Sequence, residues 1–140
     1  MRIVFATNNQ NKVAEIKAAV PPYFEIISLQ QAGIDIDIPE PHDTLRENAL
    51  EKAQTIYRLT GNACFSEDTG LEVTALNGAP GVHSARYAGE DKAFDKNIQK
   101  LLTNLENGAD RAAQFRTVIC LMLQNGDTHY FVGVCTGTIT

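Results

Sequence analysis

Residues 2–20, "RIVFATNNQNKVAEIKAAV", change hydrophobic period in the middle, and that change ties the chain to folds in which strands and helices are interleaved. "RIVFAT" (2–7) is a short apolar, β-branched run and reads as a buried strand. Polar "NNQNK" follows at once, and Val13, Ile16 and Val20 then recur at helical spacing until Pro21 and Pro22 stop the helix.

The same alternation continues along the chain. "YFEIISL" predicts a second strand, and "AGIDIDIPEPHD" an extended or turning segment. "TLRENALEKAQTIYRLTG" predicts a helix: Thr44 and Glu47 form a capping box, Leu45, Ala49, Ala53 and Ile56 an apolar stripe, and Gly61 the C-terminal cap. Thr44, Asn48 and Lys52 line a polar stripe beside it. "ACFSEDTGLEVTAL" reads as an apolar strand that breaks at Thr69 and Gly70, and "NGAPGVHSARYAGED" as a long loop. Asp91 is placed to cap a third helix, with Phe94, Ile98, Leu101, Leu102 and Leu105 as core support, running to Gly108. "FRTVICLML" and "HYFVGVCTGTI" flank Asn125-Gly126, a pair favoured in tight hairpins. With 140 residues, 44% of them hydrophobic, and neither repeats nor a linker-like shift in composition, the expectation is one α/β domain over 1–140.

Composition removes several classes of function. A net charge of −5 does not suit a broad nucleic-acid surface, although local basic groups could hold a small anion. Cys64, Cys120 and Cys135 are far apart with no CxxC pair, and His42, His83 and His129 have no ligand spacing to them. They read as reduced core thiols in a reducing cytoplasm rather than as a zinc site. No run of ~18 apolar residues could span a bilayer, and 3–6 is too short for a signal-peptide core, so a cytoplasmic protein without a membrane span is expected.

A few residues could carry chemistry. Thr7, Asn8 and Asn9 lie where a strand delivers the chain to a helix start, offering hydroxyl, amide and backbone N–H groups to phosphate oxygens, with Lys12 adding charge. The glycines of a Walker loop are absent, and Asn as a plain helix cap is the competing reading. Glu40 lies between Pro39 and Pro41 in a loop, where an acid is commonly inert. Lys52, two turns beyond Thr44, either reaches an anion or is a solvated surface group.

Asp68, at the expected strand end, needs a cation, donors or water, since burying it unpaired costs several kcal/mol. Mg²⁺ is one candidate, because that ion favours one or two carboxylates together with phosphates; capping of the next turn is the other. Glu67 points to the opposite face, since neighbours in an extended segment alternate. Arg86, beside Tyr87, either clamps phosphate or packs on an aromatic face.

"ATNNQNKVAEI", "TLRENALEKA" and "SEDTGLEVTALNGAPGVHSARYAG" occur in one order that spans nearly the whole chain, and together they resemble the inosine triphosphate pyrophosphatase family, the non-canonical purine nucleoside triphosphate pyrophosphatases. The third stretch also separates that family from the related Maf-like nucleotide pyrophosphatases. The resemblance implies an elongated mixed β-sheet with flanking helices, two lobes around a nucleotide cleft, and a homodimer. It implies cleavage of ITP, dITP or XTP between the α and β phosphates, with Mg²⁺ as cofactor. Thr7, Asn8, Lys12 and Lys52 match the family's phosphate-binding positions, Thr69 the position beside the substrate, and Glu40 and Asp68 its metal-linked acids. Asp68 would be the catalytic base, and Arg86 completes the expected substrate-binding set.

One departure stands out. The family usually continues beyond the hairpin strand with a "GFGYDP"-like segment and a later Ser-His-Arg motif that hold the purine, and this chain has neither. The expectation is a domain shortened at its C-terminal end, active or else a non-catalytic nucleotide-binding or dimer-forming fragment.

Overall fold

The computed structural model describes residues 1–89, 93–105 and 110–140. Its elements, in chain order, are β1 (Arg2–Phe5), α1 (Gln10–Ala19), β2 (Glu25–Ile27), α2 (Leu45–Thr60), β3 (Cys64–Val73), β4 (Pro80–Gly81), α3 (Phe94–Asn104), β5 (Ala112–Met122) and β6 (Thr128–Thr138). The strands form one six-stranded sheet in the order β2-β1-β3-β5-β6, with β4 paired to β3. β1 runs parallel to β2 and β3, whereas β4 is antiparallel to β3, so the sheet is mixed as expected.

The chain divides into two compact units. The first comprises Met1–His42, Arg46–Glu67 and Ile119–Phe131; the second comprises Asp43–Leu45, Asp68–Val118 and Val132–Thr140. In the first, the strand-to-helix switch of residues 2–20 builds a core of Phe5, Val13, Ile26 and Phe65, with Ile16 and Val20 packed against it. The Phe5 and Phe65 rings stack with centroids 4.3 Å apart. Against the other face of β3 lies α2. Its Ala49, Ala53 and Ile56 are wholly buried, and removing Ile56 from water contributes roughly 1.5–3 kcal/mol. The two alanines let the backbones approach so closely that Cys64 Sγ donates to the Ala53 carbonyl at 3.3 Å and Ser66 Oγ donates to that of Ala49. α2 starts directly after Thr44 and stops at Gly61, whose φ is +66° and whose N–H bonds the Tyr57 carbonyl at 2.8 Å. Asn125-Gly126 makes the expected tight connection: Gly126 has φ +92°, and Leu123 N–H meets the Asp127 carbonyl at 2.9 Å.

In the second unit, Val73, Leu101, Leu105 and Ala113 form the core. Here the structure corrects the sequence reading in three places. β3 does not break at Thr69-Gly70 but runs unbroken to Val73. Gly70 serves a different purpose: a Cβ there would lie 2.7 Å from the Gly81 carbonyl carbon and closer still to its oxygen, so only glycine lets β4 pack on β3. The "NGAPGVHSARYAG" stretch, expected as loop, supplies β4 and a short 3₁₀ turn, Ser84–Arg86, and another 3₁₀ turn, Thr74–Leu76, directly precedes it. Finally, α3 is less of a core helix than its apolar spacing suggests. Leu101 and Leu105 are buried, but Phe94 is 83% exposed, Ile98 52% and Leu102 41%. The proposed cap Asp91 and stop Gly108 lie outside the described residues.

Cys64 and Cys120 are buried, as core thiols should be, whereas Cys135 on β6 is exposed. No helix is long and apolar enough to cross a membrane among the described residues.

Candidate active site

At the junction of β1 and α1, three polar side chains organise the backbone. Asn9 is the N-cap of α1, and its Oδ1 accepts from the N–H groups of Asn11 (3.0 Å) and Lys12 (3.2 Å). Thr7 Oγ1 accepts from the Asn9 N–H at 3.1 Å, and Asn8 Oδ1 from the Gln30 N–H at 2.8 Å. The helix-cap reading of Asn9 is therefore realised. Thr7 keeps its O–H, and Asn8 its NH₂, to offer to an anion.

Fixing the start of α1 also fixes Lys12, whose ammonium ion-pairs with Glu67. β3 explains this pairing. Glu67 shares strand parity with Phe65, which packs on the α1 side of the sheet, so alternation carries the Glu67 carboxylate to the face where α1 begins. The sequence reading put Glu67 opposite Asp68 but gave it no role; its parity with the apolar Phe65 was the available signal.

One of the two readings of Lys52, the solvated surface group, does not hold. The residue is buried, only 9% exposed. Its Nζ donates to Glu40 Oε1 at 2.9 Å and to the Glu67 backbone carbonyl at 2.6 Å. The Glu40 loop is in turn clamped to α2 by Asn48, which is buried, accepts from the His42 N–H at 2.9 Å and reaches the His42 carbonyl at 3.4 Å. Asn48 is thus a positioning residue that the sequence showed only as part of a polar stripe. Its signal was burial on a helix face alongside Lys52.

Lys12, Lys52, Glu40 and Glu67 therefore gather in the first unit as two cations balanced by two carboxylates. Asp68 follows Glu67 along β3 and is itself buried, 9% exposed. Thr69 and Arg86 belong to the second unit. Thr69 Oγ1 lies 2.8 Å from Thr117 Oγ1. Arg86 ends a 3₁₀ turn, and the cation over the adjoining Tyr87 ring is Lys100 at 4.5 Å. No cluster of three or more His, Cys, Asp or Glu side chains forms a metal set among the described residues. An ion such as Mg²⁺ needs fewer protein ligands than that when phosphates supply the rest.

Residues 3–140 match the Ham1 family. The chain is 51% identical to a dITP/XTP pyrophosphatase of Flavobacterium johnsoniae over 140 residues, which is all of this chain and 72% of that protein. Among solved structures, the Ham1 protein of Staphylococcus aureus superposes with a TM-score of 0.90 at 40% identity, covering 100% of this chain and 72% of that one. A HAM1 protein from Coxiella burnetii gives a TM-score of 0.90 at 37% identity, covering 99% of this chain and 73% of the other.

Proposed function

The chain belongs to the Ham1 family, and from that premise we propose that it hydrolyses non-canonical purine nucleoside triphosphates, dITP, ITP and XTP, to the monophosphate and pyrophosphate. In that role it clears such nucleotides from the cytoplasmic pool, acting as a homodimer. The observation that carries the chemistry is the buried Lys52 ammonium, held between the Glu40 carboxylate and the Glu67 carbonyl immediately before Asp68.

Charge balance supports a divalent cation. The two lysines of the cluster are already matched by Glu40 and Glu67, so a polyanionic triphosphate meets no surplus of positive charge there. The oxygen donors of Glu40 and Asp68 are of the hard type that Mg²⁺ takes alongside substrate phosphates. When bound, Mg²⁺ would neutralise phosphate charge and lower the pKa of a coordinated water.

The remaining steps are the chain's own. Thr7, Asn8 and Lys12, fixed at the start of α1, hold the phosphate tail. Asp68 accepts a proton from the water that attacks the α-phosphorus, and the bond to the β-phosphate breaks. Lys12 and Lys52 stabilise the charge on the departing pyrophosphate, and Thr69 and Arg86 complete the contacts to substrate.

The test is incubation with ITP, dITP, XTP and ATP separately, with and without Mg²⁺, scoring pyrophosphate against orthophosphate. Pyrophosphate from the first three nucleotides, abolished by a chelator, is expected. Orthophosphate as the product would exclude cleavage between α and β. Nucleotide binding without any turnover would identify a non-catalytic binding fragment instead.

A further inference from the structure

The two lysines of the cluster are held in different ways. Lys52 Nζ is fixed between two acceptors, Glu40 Oε1 at 2.9 Å and the Glu67 backbone carbonyl at 2.6 Å. Lys12 is the looser of the two: its side chain is 46% exposed, against 11% for Lys52, and its ammonium meets the Glu67 carboxylate. An ammonium has three donors on a flexible four-carbon stem, so an exposed lysine turns from one anion to another at small cost. A lysine held by the backbone of a buried strand does not.

Glu67 is the rigid half of the Lys12 pair. Its own carbonyl is bonded by Lys52, and the preceding Ser66 is wholly buried with its hydroxyl donated to the Ala49 carbonyl. The carboxylate therefore projects from a fixed point on β3 toward Lys12, the third residue of α1. One residue thus touches both lysines, Lys52 through its carbonyl and Lys12 through its carboxylate. The first contact leaves the charge of Lys52 in place. The second does not: a carboxylate and a phosphate compete for the same ammonium, and two anions set side by side cost affinity.

We propose that Glu67 is a positioning residue of the phosphate site that acts through Lys12. It holds the ammonium at the start of α1 and competes with the phosphate tail for it, and so lowers the affinity for triphosphate and pyrophosphate alike. The inference rests on the reading of Lys12 as a phosphate contact and adds the group that opposes that contact.

Calorimetric titration of the full chain with inorganic tripolyphosphate in Mg²⁺, a probe with phosphates and no base, tests it. Glu67→Gln keeps the shape of the side chain and removes its charge. The expected result is a dissociation constant about threefold or more below that of the wild type, with pyrophosphate following, and no such gain when Lys12→Ala is present in both proteins. A merely structural role would not tighten binding, nor make the gain depend on Lys12. Glu67→Thr, also uncharged and favoured in strands, is the second variant, and circular dichroism verifies the folding of both. Unchanged or weaker binding in the folded variants overturns the proposal. A gain that persists without Lys12 overturns the route through that residue and leaves direct repulsion between Glu67 and phosphate. Pyrophosphate release from ITP is scored on the same wild-type samples. Turnover without the expected gain sinks this inference alone, whereas a wild type that neither binds tripolyphosphate nor cleaves ITP overturns the proposed function with it.

Discussion

At the scale of single residues, the proposed mechanism gives Asp68 the proton transfer and the lysines the hold on phosphate. Asp68→Asn keeps the shape of the buried side chain and removes the proton acceptor, so turnover should fall by roughly 10²-fold or more with an unchanged melting temperature. Pyrophosphate release beside a thermal melt checks this, and undiminished turnover would remove Asp68 from the base role. The two lysines should separate in a similar comparison. Lys12 is half-exposed and pairs with Glu67 near the surface, so Lys12→Ala should weaken binding of every triphosphate alike with little loss of stability. Lys52 is buried between Glu40 and a carbonyl, so Lys52→Ala leaves both acceptors without their cation and should also cost about 1–3 kcal/mol of folding stability. Denaturant unfolding, with nucleotide binding measured in parallel, distinguishes the two. A base-selective loss in Lys12→Ala would contradict a phosphate contact. Lys12, Lys52, Glu40 and Asp68 could all be picked out of the chain, but the state of Lys52 could not. Helical spacing places a lysine on a face without saying whether that face meets water or a backbone carbonyl of a neighbouring strand.

Among the elements, β3 links the fold to the site. Its even-numbered residues Cys64 and Ser66 hold α2, its odd-numbered Phe65 and Glu67 meet the α1 side, and the strand continues through Gly70 only because that residue has no side chain. Gly70→Ala should therefore destabilise by about 1–3 kcal/mol, the usual cost of forcing extra volume into a packed contact. The loss should appear as a lower denaturant midpoint, and a variant of wild-type stability would show that β4 can move aside. Reading Thr69-Gly70 as a strand break was the natural inference from local propensity, since glycine weakens strands. What overrode it was a partner eleven residues away along the chain: the Gly81 carbonyl needs the space that a Cβ at 70 would fill. α2 shows the opposite case, with its start after Thr44, its buried stripe and its stop at Gly61 all where the sequence placed them. Each of those signals acts within one or two turns of the helix.

For the molecule as a whole, pH reports on the buried thiols. Burial, reinforced by neighbouring Cys120, pushes the Cys64 thiol from 9.0 up to about 12. Burial also raises Cys120. The unfolded chain ionises these thiols at a lower pH than the folded one, so their contribution to stability is intact below 9.0 and is lost progressively as pH rises toward 12. Denaturant midpoints at about pH 8 and about pH 10 should show a loss that is smaller in Cys64→Ala than in the wild type. An equal loss in both would show that Cys64 does not titrate differently on folding.

By itself, the sequence determined the alternation of the long strands and helices, the bounds of α2, the hairpin at Asn125-Gly126 and the family motifs, because all of these are written in residues close together along the chain. Only the tertiary structure decided that Lys52 is buried, that Glu67 pairs with Lys12, that Gly70 is a contact rather than a break, and that Phe94 and Ile98 face outward. Each of those depends on what lies across the sheet or above the helix, and periodicity names a face of an element without naming what covers it.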